Sequence, residues 1–126
     1  NCYKFVLTED RSWSSARSRC QSLGGYLAIL ETRDEIEWMK SFRQLHRPLG
    51  DARLWIGGWH DDLDNQWKWI GPDGRFPITI FDWAIGEPNR STQDCLILYS
   101  YEFGPGKMYK WDDDECGDRF DFICEK

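Results

Sequence analysis

The sequence predicts a disulfide-bonded α+β fold. Two stretches in the first half repeat apolar residues at helical spacing. The second half breaks into short alternating runs separated by glycine and proline, which is a pattern of strands and loops. Five cysteines (Cys2, Cys20, Cys95, Cys116 and Cys124) occur without any CxxC pair, which favours a disulfide framework over a zinc site.

Taken in chain order, Cys2 to Leu7 alternates with Tyr3, Phe5 and Leu7 on one side and reads as a strand. Ser12 precedes Trp13, Ala16, Cys20 and Leu23 at helical spacing, and Gly24-Gly25 would end that helix by allowing positive φ. Tyr26 to Leu30 is a short strand. Thr32 with Glu35 forms a capping box that opens a second helix, Arg33 to about Leu45, with Ile36, Met39 and Phe42 on one stripe. His46 to Arg53 is a connection. Leu54 to Gly58 and Trp67 to Ile70 are strands, and Gly71-Pro72-Asp73-Gly74 is a turn. Phe76 to Tyr109, interrupted by Pro77, Gly86, Pro88 and Gly104, reads as long loops around one strand, Cys95 to Tyr99. Tyr109 to Trp111 and Phe120 to Cys124 are the last strands. Long loops inside a small domain usually carry function.

The 126 residues fit one domain, 1–126. A net charge of -6 and a pI near 4.9 argue against nucleic acid or an anionic membrane surface as partner, since both are polyanions. No apolar run is long enough to insert in a membrane. No signal peptide begins at Asn1, so a disulfide-bonded chain of this kind is expected to be a mature or trimmed secreted or extracellular form.

The chemically informative stretches are Glu87-Pro88-Asn89 and Trp111-Asp112-Asp113-Asp114-Glu115. Calcium takes six to eight oxygen ligands, roughly 2.3–2.6 Å away, from carboxylates and carbonyls. Glu87, Asn89, Gln93, Asp94, Asp112 and Asp113 offer such oxygens. A cis bond before proline costs only about 0.5–1 kcal/mol. A cis Glu87–Pro88 bond would turn the Glu87 and Asn89 side chains toward one point. As residues alone, the tripeptide also reads as a simple turn and the acids as solvated surface.

From end to end the chain resembles the C-type lectin-like domains. The resemblance rests on Cys20 in the first helix, Trp55-Ile56-Gly57, Trp67 and Trp69, Glu87-Pro88-Asn89, Cys95, Trp111 before two ligand positions, Cys116 and Cys124. It implies bridges Cys20–Cys124 and Cys95–Cys116, and two helices flanking small antiparallel sheets with a long calcium-binding loop. It also implies a principal site for one Ca2+ and a sugar, falling on Glu87, Asn89, Gln93, Asp112 and Asp113. In this family Glu-Pro-Asn accompanies mannose-type sugars (mannose, glucose, GlcNAc, fucose). Two positions depart from the family pattern: Gln93 replaces a glutamate and Asp112 an asparagine. The carboxylate count stays the same, and the second sugar hydroxyl still meets one acceptor (Asp112) and one donor (Gln93), with the polarity reversed. Sugar binding is therefore assigned to Glu87, Asn89, Gln93 and Asp112, with affinity for glycans raised by multivalency.

The resemblance includes a second calcium position beside the first. Here His60 and Arg90 fall where acids would be expected and Asp64 and Asp94 remain, so that site is expected to be absent, with Asp61 or Asp62 as rescuers. Trp55, Trp67, Trp69, Trp83 and Trp111 are expected in the core. Trp59, Tyr99, Tyr101, Phe103 and Tyr109 are candidates for secondary sugar contacts. His46 and His60 are expected to be structural. Asn89-Arg90-Ser91 is formally a glycosylation sequon, expected to be unmodified because a glycan would occupy a ligand.

Cys2 is left unpaired by this scheme. Its partner lies upstream of Asn1, or it bridges to another chain and makes a dimer, or it is a free thiol. A calcium-independent protein-binding domain of the same fold is the alternative function. Enzymatic activity is not expected: HExxH, G-x-S-x-G and a Cys/His nucleophile pair are all missing from the sequence. A two-carboxylate glycosidase would need acids that calcium consumes as ligands.

Overall fold

The computed structural model describes residues 1–45, 53–89, 94–103 and 106–126, with the side chains of 44, 101–103 and 106–108 excepted. The described elements run β1 (Tyr3–Arg11), α1 (Trp13–Ser22), β2 (Tyr26–Leu27), α2 (Arg33–Leu45), β3 (Leu54–Asp61), β4 (Gln66–Gly71), β5 (Gly74–Pro77), β6 (Asp94–Phe103), β7 (Gly106–Glu115) and β8 (Phe120–Glu125).

Both helices begin and end where local chemistry dictates. The Ser12 side chain caps α1 by accepting from the Ser15 N–H. At its far end Gly24 takes φ +86°, the Gly24 N–H donates to the Gln21 carbonyl at 3.0 Å, and the Gly25 N–H donates to the Cys20 carbonyl at 2.9 Å. That is the paired-bond ending of a Schellman turn. The capping box of α2 is reciprocal: the Glu35 N–H donates to Thr32 Oγ1 at 3.1 Å, and the Thr32 N–H donates to Glu35 Oε1 at 3.2 Å.

The strands pair in the order β1-β8-β3-β4-β5, with β2 on β8 and β6 between β3 and β7. The pairings are antiparallel except β3 with β8, which is parallel and joins the antiparallel sets into one mixed sheet. Cys20–Cys124 ties α1 to β8, and Cys95–Cys116 closes the base of the β6–β7 hairpin, as the resemblance implied. Cys2 is free and exposed.

Two apolar clusters fill the interior. One joins Ala28, Ile36, Met39, Leu54, Ile56, Trp69, Leu96 and Trp111; the other joins Trp13, Ala16, Cys20, Trp55, Ile97 and Phe122. Trp55, Trp69 and Trp111 are fully buried, and Trp67 and Trp83 pack against the first cluster, as expected from their strand context.

Several elements differ from the sequence reading, including β3, which runs past Gly58 to Asp61, and β7, which runs past Trp111 to Glu115. β1 continues past Leu7 to Arg11, because its later residues also pair with β8 (Arg11 opposite Phe120) after a register shift. The strand expected over Tyr26 to Leu30 stops at Leu27. The Ala28 N–H still donates to the Ile123 carbonyl at 2.9 Å, and at Ile29 the backbone N–H turns instead to the Glu125 carboxylate at 2.9 Å. β5 forms a hairpin with β4 through the predicted turn, a strand the sequence reading did not contain. Phe76 to Tyr109 is not mainly loop: β6 and β7 form a hairpin in continuous register from Asp94 opposite Glu115 to Phe103 opposite Gly106. Among the described residues, the irregular part of this stretch is 78–89, after β5.

Candidate metal centre

That irregular segment reaches the hairpin through one short zipper. Trp83 forms an isolated bridge with Trp111, the Trp111 N–H donates to the Asp82 carbonyl at 2.9 Å, and the Ala84 N–H donates to the Trp111 carbonyl at 2.8 Å. A turn follows, in which the Glu87 N–H donates to the Ala84 carbonyl at 3.0 Å. Glu87 is thereby delivered beside Asp112, the residue after Trp111. The Glu87–Pro88 peptide is cis. On its other side the Asn89 N–H donates to Asp113 Oδ1 at 3.3 Å.

Asp82 anchors the zipper. Its carboxylate is buried and meets Lys110 Nζ at 3.0 Å, Lys40 Nζ at 3.3 Å and Arg33 Nη1 at 3.4 Å. A single acid thus ties α2, the irregular segment and β7 together. The sequence reading missed Asp82. The available signal was an acid between two aromatics, Phe81 and Trp83, which places it against the core.

The three acids converge. Glu87, Asp112 and Asp113 each offer a carboxylate oxygen, and these oxygens lie within 4.8 Å of one another. Glu87 and Asp112 are half-buried and Asp113 is buried. Asp112 Oδ1 accepts from the Asp113 N–H at 2.7 Å. Burial first, then the adjacent Asp112 and Asp113 carboxyls, push the Glu87 carboxyl up to about 8. Burial also raises Asp112, against hydrogen bonds from Glu87 and the Asp113 N–H. Glu87 Oε2 is buried without a hydrogen-bond partner among the described residues. Three crowded carboxyl groups and a buried oxygen without a hydrogen-bond partner among the described residues make a centre that favours positive charge. An all-oxygen donor set of this kind fits a hard cation such as calcium.

The remaining assigned positions divide as follows. Asn89 is exposed beside the cluster, and Gln93 and Arg90 lie outside the described residues. Asp94 opens β6 opposite Glu115 and is not in the three-acid group. Around the second expected position, Lys68 Nζ lies 2.9 Å from Asp61 Oδ2 and 2.6 Å from Asp64 Oδ2. The hydrogen bond from Lys68 holds the Asp61 carboxyl below its ordinary range, and the bond to Asp64 chiefly raises Lys68. The protein's own ammonium therefore sits between the two carboxylates. His60 is structural: its ring contacts Asp62 Oδ1 at 2.7 Å and Asn65 Oδ1 at 3.0 Å.

The aromatic candidates are corrected in part. Tyr109 is buried in the core with the Arg43 guanidinium 5.3 Å from its ring centroid, so it presents no surface to a sugar. Tyr99 is half-buried with Arg53 at 4.9 Å over its ring. Trp59 is half-buried at the surface, while the side chains of Tyr101 and Phe103 and all of His46 lie outside the described residues.

Comparison with known proteins places this geometry in context. The family model for the lectin C-type domain matches residues 9–126. Human chondrolectin is 28% identical over 98% of this chain, which spans 52% of chondrolectin's own length. The human scavenger receptor C-type lectin carbohydrate-recognition domain has a similar structure, at TM-score 0.74 and 30% identity, covering 99% of this chain and 89% of that one. The Ca2+-independent C-type lectin SPL-2 from Saxidomus purpuratus superposes at TM-score 0.79 with 25% identity, covering 98% of this chain and 83% of that one.

Proposed function

The chain belongs to the C-type lectin domain family, whose members are binding proteins and not enzymes, and from that premise we propose that it binds mannose-type sugars through one calcium ion. The observation that carries this reading is the convergence of Glu87, Asp112 and Asp113 around a buried, unpartnered carboxylate oxygen. Asn89 and Gln93 complete the ligand set. The ion supplies positive charge to the cluster and a coordination point for two adjacent sugar hydroxyls. Glu87 and Asp112 accept hydrogen bonds from those hydroxyls, and the Asn89 and Gln93 amides donate to them. We take 1–126 as one such domain, extracellular because two disulfides persist only under oxidising conditions. Its partners are glycans, including those of microbial surfaces or glycoproteins. Exposed Cys2 is available for a disulfide-linked dimer that doubles the sites.

A second reading is a calcium-independent protein-binding domain, and the likeness to a lectin described as Ca2+-independent supports its calcium independence alone. Calorimetric titration of mannose, GlcNAc, fucose and galactose, in calcium and then in excess chelator, separates the two. Heat from mannose-type sugars in calcium alone supports the proposed site. Asp112→Asn should then abolish that heat, and adding Gln93→Glu should restore it by recreating the family arrangement. No sugar heat under either condition, together with no calcium heat, transfers the lead to the second reading, whereas mannose-type binding that ignores chelator contradicts the calcium site.

A further inference from the structure

A cleft of about 290 Å³ lies away from the three acids, lined by Trp13, Arg17, Trp59, Ile70, Gly74 and Arg75. It shares none of the proposed calcium ligands. Among the described residues no carboxylate lines it, although the chain carries a net charge of -6. Trp13 and Arg17 stand one turn apart on α1 and so face the same way. Trp59 belongs to β3, Ile70 to β4, and Gly74 and Arg75 to β5.

Trp13 is held in place and the charges are available. The Trp13 indole N–H donates to the Ile56 carbonyl at 2.9 Å, which fixes the floor. Gly74 adopts φ +122°, and a Cβ there would meet nothing within 4 Å, so the rim is open. Arg75 lies over the Trp59 ring, 5.3 Å from its centroid. Among the described residues its acidic neighbour is Asp61 Oδ2 at 3.8 Å, an oxygen that Lys68 already holds at 2.9 Å. Arg17 is half-buried and has no hydrogen-bond or ion-pair partner among the described residues. Two guanidiniums beside an indole, with only one carboxylate at their edge and that one shared with Lys68, form a receptor for an anion attached to a ring with an apolar face.

We propose that this cleft is a second, calcium-independent saccharide site that takes a sulfated or carboxylated sugar. Arg17 and Arg75 receive the anionic group, and the exposed part of the Trp59 indole receives the C–H face of the ring. A neutral sugar would leave both guanidiniums unused. The assignment does not depend on the calcium site.

A sulfated heparin-type disaccharide, titrated into the full chain at low salt and followed by tryptophan fluorescence and 1H–15N NMR, tests it. Shifts should gather on α1 and the β4–β5 hairpin, remain the same in calcium and in excess chelator, and weaken as salt is raised. Arg17→Gln with Arg75→Gln should reduce affinity about tenfold or more. Both side chains are outside the apolar core, so an unchanged melting temperature shows that the variant is folded. Absence of binding, equal binding of the desulfated disaccharide, persistence in the double variant, or loss with chelator overturns the proposal. Inorganic sulfate or a sulfotyrosyl peptide binding more tightly than the disaccharide overturns the saccharide assignment.

Discussion

Glu87 carries the sharpest electrostatic consequence of the fold. Burial, followed by the Asp112 and Asp113 carboxyls, moves its carboxyl from 4.5 up to about 8. The folded-state value lies above the unfolded one. The stability contributed by holding that proton is therefore complete below about 4.5 and is lost progressively as pH rises to about 8. An oxygen ligand must be deprotonated to take a cation, so calcium uptake by these acids releases protons and offsets their repulsion. The rise in melting temperature produced by calcium should grow as pH is raised from 4.5 toward 8, read by scanning calorimetry with calcium and with chelator. A calcium effect that stays flat across that window would contradict this account of the cluster. At this scale the sequence was informative where a residue belonged to a local pattern. Glu87, Asn89, Asp112 and Asp113 stand in two short polar runs flanking proline and tryptophan. Asp82 has no such pattern, because its role comes from Lys40, Arg33 and Lys110, which only the fold brings to it.

Among the elements, the zipper between residues 82–84 and Trp111 does the positioning. It carries Glu87 to β7, while Asp82 fastens it to α2 and β7 through three cationic side chains. Asp82→Asn keeps the side chain's shape but removes the charge all three face. It should cost about 2 kcal/mol of stability, the scale of a hydrogen bond to a charged group. It should also weaken calcium binding while sparing the disulfides, as denaturant melts and calcium calorimetry would read. Loss of stability with unchanged calcium affinity would show that Glu87 is placed by other contacts. The helices were legible because their caps are sequence-local. The lengths of β6 and β7 were not, since Gly104 and the prolines suggested loop, whereas Tyr99, Tyr101 and Phe103 alternate with Ser100 and Glu102 as a long strand requires. β5 was hidden for a related reason: its four residues are all exposed, so no buried alternation marks them.

Over the whole molecule, two disulfides and two apolar clusters hold a mixed sheet from which one irregular segment projects an acidic centre. The parallel β3–β8 pairing joins residues far apart in sequence and had no local signal, which is why the sheet's connectivity was less legible than its strands. A separate arginine-lined cleft gives the same small domain a second charge character, on residues distinct from the acids. Calcium titration by isothermal calorimetry, on the intact chain and on Glu87→Gln, tests the central claim most directly. The account predicts one calcium ion per chain, with binding lost in Glu87→Gln while its melting temperature in chelator is maintained or raised. No calcium heat for the intact chain, or unchanged binding after Glu87→Gln, would contradict it.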